Sequence, residues 1–352
     1  MKRGKKKGMG KLRLSRRKSI RVTPEQLVKT GLLPSGNPLP LVIEPTMDGV
    51  DLVAWGKKNL NLIEDHLLQH GGILFRNFNV KGVEQFQDVV RATTRQELLE
   101  YTYRSTPRSQ VSGKIYTSTE YPADQAIPMH NEHVYDTTWP MKIWFFCVKA
   151  AEEQGQTPIA DSRKVFERIN PTIKEQFMQK KVMYVRNYGE LLDLPWQDVF
   201  QTTEKSAVEQ FCHHANIEFE WLGENLRTRQ VCQAVAKHPR TGEMVWCNQA
   251  HLFHVSSLHP TIRDSLLSVV DEEGLPRNAY YGDGSPIEPA ALDEIRAIYQ
   301  QEMVLFPWQE GDVLILDNML TAHGRMPYKG TRKIVVGMAE SYSLPQPVTS
   351  NQ

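Results

Sequence analysis

Short apolar or alternating runs recur along this chain at about residues 115–117, 142–148, 182–185, 217–221, 243–247, 303–306, 313–317 and 333–338, punctuated by glycine and proline. Segments this short read as strands, and a chain with many of them suggests two sheets folded together. The expected fold class is α+β, a double-stranded β-helix or jelly roll with helices outside it at about 84–99, 163–180, 203–215, 260–272 and 290–301. Another helix is expected over 51–70, where Leu52, Trp55, Leu60, Ile63 and Leu67 keep mostly helical spacing up to Gly71-Gly72. The stretch from about 186 to 300 is too long for a structureless connection between neighbouring strands. It is expected to be a structured insertion that supplies pocket walls and a lid. Pro239-Arg240-Thr241-Gly242-Glu243 within it reads as a hairpin tip.

At 352 residues, 40% hydrophobic and 24% charged, the chain can bury one large core. A single domain over 25–345 with a tail at 346–352 is expected. Cys147, Cys212, Cys232 and Cys247 show no C-x-x-C spacing, which points away from a zinc ribbon or disulfide scaffold and toward a reducing cytoplasm. No apolar run approaches the roughly 20 residues of a bilayer span, and the basic N-terminus lacks the apolar stretch of a signal peptide. Residues 1–24 hold eleven Lys or Arg and no acid, so with a whole-chain balance of +1 the remainder carries −10. Such a segment cannot support a packed core and reads as a disordered arm. As a docking arm it suits an acidic protein partner. Nucleic acid is disfavoured, because the body has no net positive charge and no binding motif accompanies the arm.

The chemistry concentrates in a few residues. Met129-His130-Asn131-Glu132-His133 sets His130 and Glu132 two positions apart, so an extended segment points both side chains to one side. His323 lies 191 positions after Glu132, just past the apolar run Val313–Asp317. Two neutral imidazoles and one carboxylate are the ligand set of a non-haem Fe(II) oxygenase, in which three ligands on one face of an octahedral metal leave the other positions open. An H-x-E pair alone is a weak signal among eleven histidines. The residues after His323 strengthen it: Gly324-Arg325-Met326-Pro327-Tyr328-Lys329-Gly330-Thr331-Arg332 reads as a turn and hairpin tip that brings a cation beside the metal. A guanidinium there forms a two-pronged pair with the distal carboxylate of a metal-bound dicarboxylate. Thr157, in Gly155-Gln156-Thr157-Pro158-Ile159-Ala160-Asp161-Ser162, is placed to donate to the same carboxylate, although by itself it reads as an ordinary turn threonine. Asp161 or Ser162 caps the following helix.

Taken together, His130-x-Glu132, Gly155-x-Thr157-Pro158-Ile159-Ala160-Asp161-Ser162-Arg163 and His323-Gly324-Arg325-(x)6-Arg332 resemble the TauD/TfdA, clavaminate-synthase-like Fe(II)/2-oxoglutarate dioxygenases over most of residues 70–340. The resemblance implies Fe(II) at His130, Glu132 and His323, 2-oxoglutarate held by iron, Thr157 and Arg332, and O2 as second co-substrate. Many members carry Asp where this chain has Glu132. Glu is found in relatives from peptide natural-product pathways, which favours hydroxylation of an amino acid, free or presented by an acidic carrier protein, in specialised metabolism. Desaturation, cyclisation, or catabolic oxygenation of a small carboxylate or sulfonate are the alternatives. Glu120, Asn248 and Arg325 are substrate-site candidates, with Arg229 and His251 as further pocket candidates from the insertion. Ordinary ion pairs explain Glu120 and Arg325 equally well, and for Asn248, Arg229 and His251 a structural hydrogen bond within the insertion is the favoured explanation.

Overall fold

The structure, a computed structural model, describes residues 27–103, 105–189 and 194–344; the basic arm over 1–24 and the tail at 346–352 lie outside the described residues. Its centre is an eight-stranded sheet in the order Val28–Gly31, Leu41–Pro45, Gly72–Phe75, Val313–Asp317, Thr138–Lys149, Lys333–Ser343, Ile115–Thr117, Gln110–Ser112. Every pairing in it is antiparallel except that of Leu41–Pro45 with Gly72–Phe75. Val313–Asp317 is buried at all five positions because it is central and covered on both faces.

The period of two divides this sheet into two faces. Ile73, Phe75, Trp144, Phe146, Ile315 and Val335 pack against Trp55, Ile63, Leu67, Phe86 and Val89 of the three N-terminal helices Leu52–Lys58, Leu60–His70 and Gly82–Ala92. The alternate residues Leu74, Ile143, Phe145, Leu314, Leu316 and Val336 meet Ile159, Phe306 and Trp308 on the other face. A three-stranded sheet, Ile127–His130, Thr321–Arg325 and Ile159–Asp161, lies on that side.

The described residues of the stretch 186–300 are structured. Strands Glu218–Leu222 and Asn225–Cys232 extend a sheet with Val182–Tyr188 and Arg277–Tyr281, and helices Trp196–Phe200, Lys205–His214, Ala250–Phe253, Pro260–Leu267 and Pro289–Glu302 accompany it. Its core is continuous with Met129, Tyr135 and Ala322, so this layer backs directly onto the three-stranded sheet. Val235–Lys237 and Met244–Trp246 form a hairpin around the expected tip.

Several expected elements differ, each for a local reason. The helix over 51–70 is two helices broken at Asn59, the second closed by Gly71 in the left-handed conformation (φ 79°). The helix over 163–180 is likewise two, because Asn170 caps a new helix that begins at Pro171. The helix over 84–99 stops at Ala92; the Thr93 hydroxyl turns back to the Val89 carbonyl and also accepts from the Trp144 indole, so the side chain competes with helix continuation. The run 303–306 forms no strand, only a single bridge between Val304 and Ile159. All four cysteines are buried and unpaired, and among the described residues no helix is long and apolar enough to cross a membrane.

Candidate metal centre

Within the three-stranded sheet His323 stands opposite His130 on one side and Ile159 on the other. The two imidazoles are 4.6 Å apart between ring centres, and Phe145 from the large sheet closes on His323 at 5.0 Å. The site therefore lies where the two sheets face each other. Asp317 makes the approach to His323 possible: its Oδ1 accepts from the Met319 and Leu320 amides, so the chain leaves the large sheet in a side-chain-bonded turn and re-enters as a strand of the small one. Sequence spacing alone puts His323 in that turn; the structure puts it inside the second strand.

Glu132 also departs from the simple extended reading, because the strand ends at His130 and Glu132 sits in the turn beyond it. Asn318 holds that turn. It accepts from the Glu132 amide (2.7 Å) and donates to the carbonyls of Glu132 (2.9 Å) and Pro140 (2.8 Å). Asn131 donates in turn to the Asn318 carbonyl and to Ser162 Oγ. From the insertion, Gln249 donates to the Asn131 carbonyl and His251 Nε2 meets the Met129 carbonyl at 2.8 Å. Replacing Asn318 by alanine leaves one buried amide and two carbonyls short of a partner and is expected to cost about 2 kcal/mol in urea unfolding. It should also weaken metal binding without touching the metal. Unchanged metal affinity would show that packing, not Asn318, sets the Glu132 turn.

The outcome is that one ligand atom from each of His130, Glu132 and His323 lies within 4.8 Å of the others. Glu132 Oε2 is 3.7 Å from His323 Nε2. The His130 Nδ1 is 2.8 Å from the Pro128 carbonyl, and donation there turns Nε2 toward the other ligands. Burial, then the neighbouring His323, pulls the pKa of His130 down to about 3, so no proton competes for its ring near neutral pH. Burial pushes the Glu132 carboxyl up, but the Arg108 guanidinium and, after it, the neighbouring His323 ring outweigh it and hold the group well below the usual carboxylate range. Two neutral imidazoles and one carboxylate at this spacing fit a divalent first-row metal.

Thr157 and Arg332 come together in the same cleft. Arg332 donates through Nε to the Gly155 carbonyl (2.8 Å) and through Nη2 to Thr157 Oγ1 (3.3 Å). The Trp308 indole also donates to that oxygen (3.1 Å), so both Thr157 lone pairs receive protons and its own hydroxyl proton remains to be given. Burial, then the like charge of Arg325, pulls Arg332 down to about 10, still a cation at neutral pH. Two glycines make these approaches possible. A Cβ on Gly324 would stand 2.6 Å from the Ile127 carbonyl, and one on Gly155 (φ 70°) would stand 2.8 Å from Ala151 and 3.1 Å from Arg332.

The substrate candidates are distributed differently. Arg325 lines the cleft, but its Nη atoms are held by the carbonyls of Tyr121, Pro122 and Gln125, so it anchors that loop. Glu120 is exposed and accepts from the Ser109 amide and the Thr117 hydroxyl, closing a turn beside Arg108. Asn248 is not brought into the cleft: it is fully buried and committed to the Ala234 carbonyl and the Ala250 amide. Arg229 pairs with Glu220 on the insertion sheet, and His251 buttresses the Met129 backbone. Residues with no motif also belong to the site. Arg108 bonds Glu132 Oε2 at 2.6 Å, and His133 (φ 61°) stands 3.8 Å from Oε1. Nothing in the spacing around Pro107-Arg108-Ser109 marks it; only the second histidine of His130-Asn131-Glu132-His133 was visible as a nearby ligand type.

The chain is 40% identical over 279 residues to the dapdiamide synthesis protein DdaC of Enterobacter agglomerans, covering 79% of this chain and 84% of that protein. It is 28% identical over 323 residues to a clavaminate synthase-like protein of Arabidopsis thaliana, covering 86% and 94%. Among solved structures, PvcB of Pseudomonas aeruginosa superposes with a TM-score of 0.53 at 16% identity over 94% of each chain, a likeness of fold. The family model described as taurine catabolism dioxygenase TauD, TfdA family matches residues 35–339, a span that holds every residue of the cleft; with that match, the chain belongs to the TauD/TfdA dioxygenase family.

Proposed function

We propose that the chain is an Fe(II)/2-oxoglutarate-dependent hydroxylase of an amino acid, free or carrier-bound, acting in specialised metabolism in the cytoplasm. The observation that carries this reading is the shared cleft: His130, Glu132 and His323 offer three ligand atoms within 4.8 Å, and Arg332 with Thr157 opens onto the same space. The eight-stranded and three-stranded sheets, facing each other across it, are read as the two halves of a jelly roll, with residues 25–345 as one domain.

His130, Glu132 and His323 would hold ferrous iron, and Arg332 and Thr157 would take the distal carboxylate of 2-oxoglutarate. Iron so bound supplies the oxidation: one oxygen atom of O2 enters a substrate C–H bond, and 2-oxoglutarate leaves as succinate and CO2 with the other. The residues of this chain do the rest. Asn318 keeps Glu132 in place, Phe145 lines the cleft against His323, and Trp308 holds the Thr157 hydroxyl. Arg325 ties the 121–125 loop across its edge. The 40% identity to a dapdiamide synthesis protein and the four buried, unpaired cysteines support the metabolic and compartment parts of the reading.

Anaerobic Fe(II) titration with 2-oxoglutarate tests the centre through the weak visible absorption of the metal-bound co-substrate. Mass spectrometry of free and carrier-bound amino acids incubated with enzyme, iron and 2-oxoglutarate tests the substrate. Deleting residues 1–22 is expected to leave iron and 2-oxoglutarate affinity unchanged. If the substrate is carrier-bound, the deletion raises KM for the loaded carrier mainly at low ionic strength, as lost electrostatic steering requires. Equal KM across a salt series eliminates the docking role.

A further inference from the structure

We propose that Arg108 receives a carboxylate of the organic substrate beside the metal ligands, so that the substrate presents a free acid next to its reacting carbon. The inference rests on the metal and 2-oxoglutarate reading above and adds to it a specificity-determining residue and the chemical class of the group it selects.

Arg108 is a buried cation with almost nothing to bind. Its side chain is 3% exposed, and among the described residues it makes one hydrogen bond, from Nη2 to Glu132 Oε2 at 2.6 Å. Its Nε and Nη1 are buried with no hydrogen-bond partner among the described residues. The guanidinium rests 4.7 Å from the centre of the Tyr101 ring, which holds its plane but accepts none of these protons conventionally. Buried donors are nearly always satisfied in a finished site, so this pair is open to a ligand.

The charges of the cleft say what kind of ligand. Arg108, Arg325 and Arg332 line it together with His130 and His323. The carboxylate beside Arg108 and the two histidines is Glu132, and a divalent metal at the three ligands would share or take its charge. Arg325 spends its Nη donors on three loop carbonyls, and Arg332 is joined to Thr157 at the co-substrate end. A dicarboxylate co-substrate neutralises only part of the remaining positive charge. Arg108, on a separate loop and touching the metal ligand itself, is the guanidinium left for a second anion. Nε and Nη1 lie on different edges of the guanidinium, and either one, with the second proton of Nη2, offers a planar fork that matches a carboxylate better than any neutral acceptor. An amide or thioester at that position would leave its donors unpaired, which a site built for hydrogen bonding penalises strongly.

The test uses the full-length protein loaded with Mn(II) and 2-oxoglutarate, titrated calorimetrically with the free L-amino acids and their primary amides. At least one acid is expected to bind, and its amide at least about tenfold more weakly. In Arg108→Met that acid preference disappears. In Arg108→Lys, which keeps a cation opposite Glu132 and protects the fold, it is reduced but present. Mn(II) affinity should not fall in either variant, because the metal replaces the arginine as counter-charge to Glu132. Binding of no free acid by the wild type, equal binding of acids and amides, or an unchanged preference in Arg108→Met would each overturn the proposal. So would weakened Mn(II) binding with the preference intact, which would make Arg108 a positioning residue for Glu132. Mn(II) binding that survives His130→Ala would instead overturn the metal reading beneath it.

Discussion

Replacing Glu132 by alanine is expected to abolish turnover, because the metal loses the one anionic ligand among the three. The variant also strands Arg108, whose single hydrogen bond among the described residues is to this carboxylate. Removing one partner of a buried ion pair costs on the order of 3–5 kcal/mol, so part of the effect could come from unfolding. Glu132→Gln separates the two: the amide keeps the shape and still accepts from Arg108, but it does not neutralise a divalent ion. Fe(II) binding by calorimetry should fall by at least about a hundredfold in Glu132→Gln, while thermal melting stays closer to wild type than in Glu132→Ala. His130→Ala and His323→Ala should lose the visible absorption formed with Fe(II) and 2-oxoglutarate. Near-normal turnover by Glu132→Ala, or retained absorption in either histidine variant, would move the metal elsewhere.

Arg332→Lys is expected to weaken 2-oxoglutarate binding by about 1.5–3 kcal/mol, roughly ten- to a hundredfold. The ammonium keeps the charge but cannot donate to Gly155 and Thr157 while presenting a planar edge to a carboxylate. Thr157→Val should weaken it less: one donated proton is lost, and the Trp308 indole and Arg332 lose their shared acceptor. The measurement is the 2-oxoglutarate concentration at half-maximal absorption. If neither change moves it while both alter the dependence on organic substrate, the two residues line the substrate pocket instead.

How much of the fold and the site was legible in the chain varies with the range of the interaction. The strands at 115–117 and 313–317 coincide with their expected limits, because an apolar run bounded by turn residues has one way to be buried in a sheet. The break at Pro171 was written in the chain as a capping asparagine before a proline, and the failure of 303–306 to form a strand was not, since a single bridge to Ile159 depends on which strand lies opposite. Asn248 shows the converse. Its residue type and its place between the two halves of the site suit a pocket wall, yet a buried amide beside a free carbonyl is satisfied locally first.

His130, Glu132, Thr157, His323 and Arg332 were picked out as candidates by the sequence itself, through residue type and short-range order around a turn or strand, and the structure brings them to one cleft. What only the tertiary structure decided is who surrounds them. Arg108, Asn318, Gln249 and His251 reach the centre from separate loops, through single hydrogen bonds to Glu132 or to the backbone beside it. A lone side chain carries no periodicity and no motif, and its partner is chosen when two sheets and an insertion pack around one cleft.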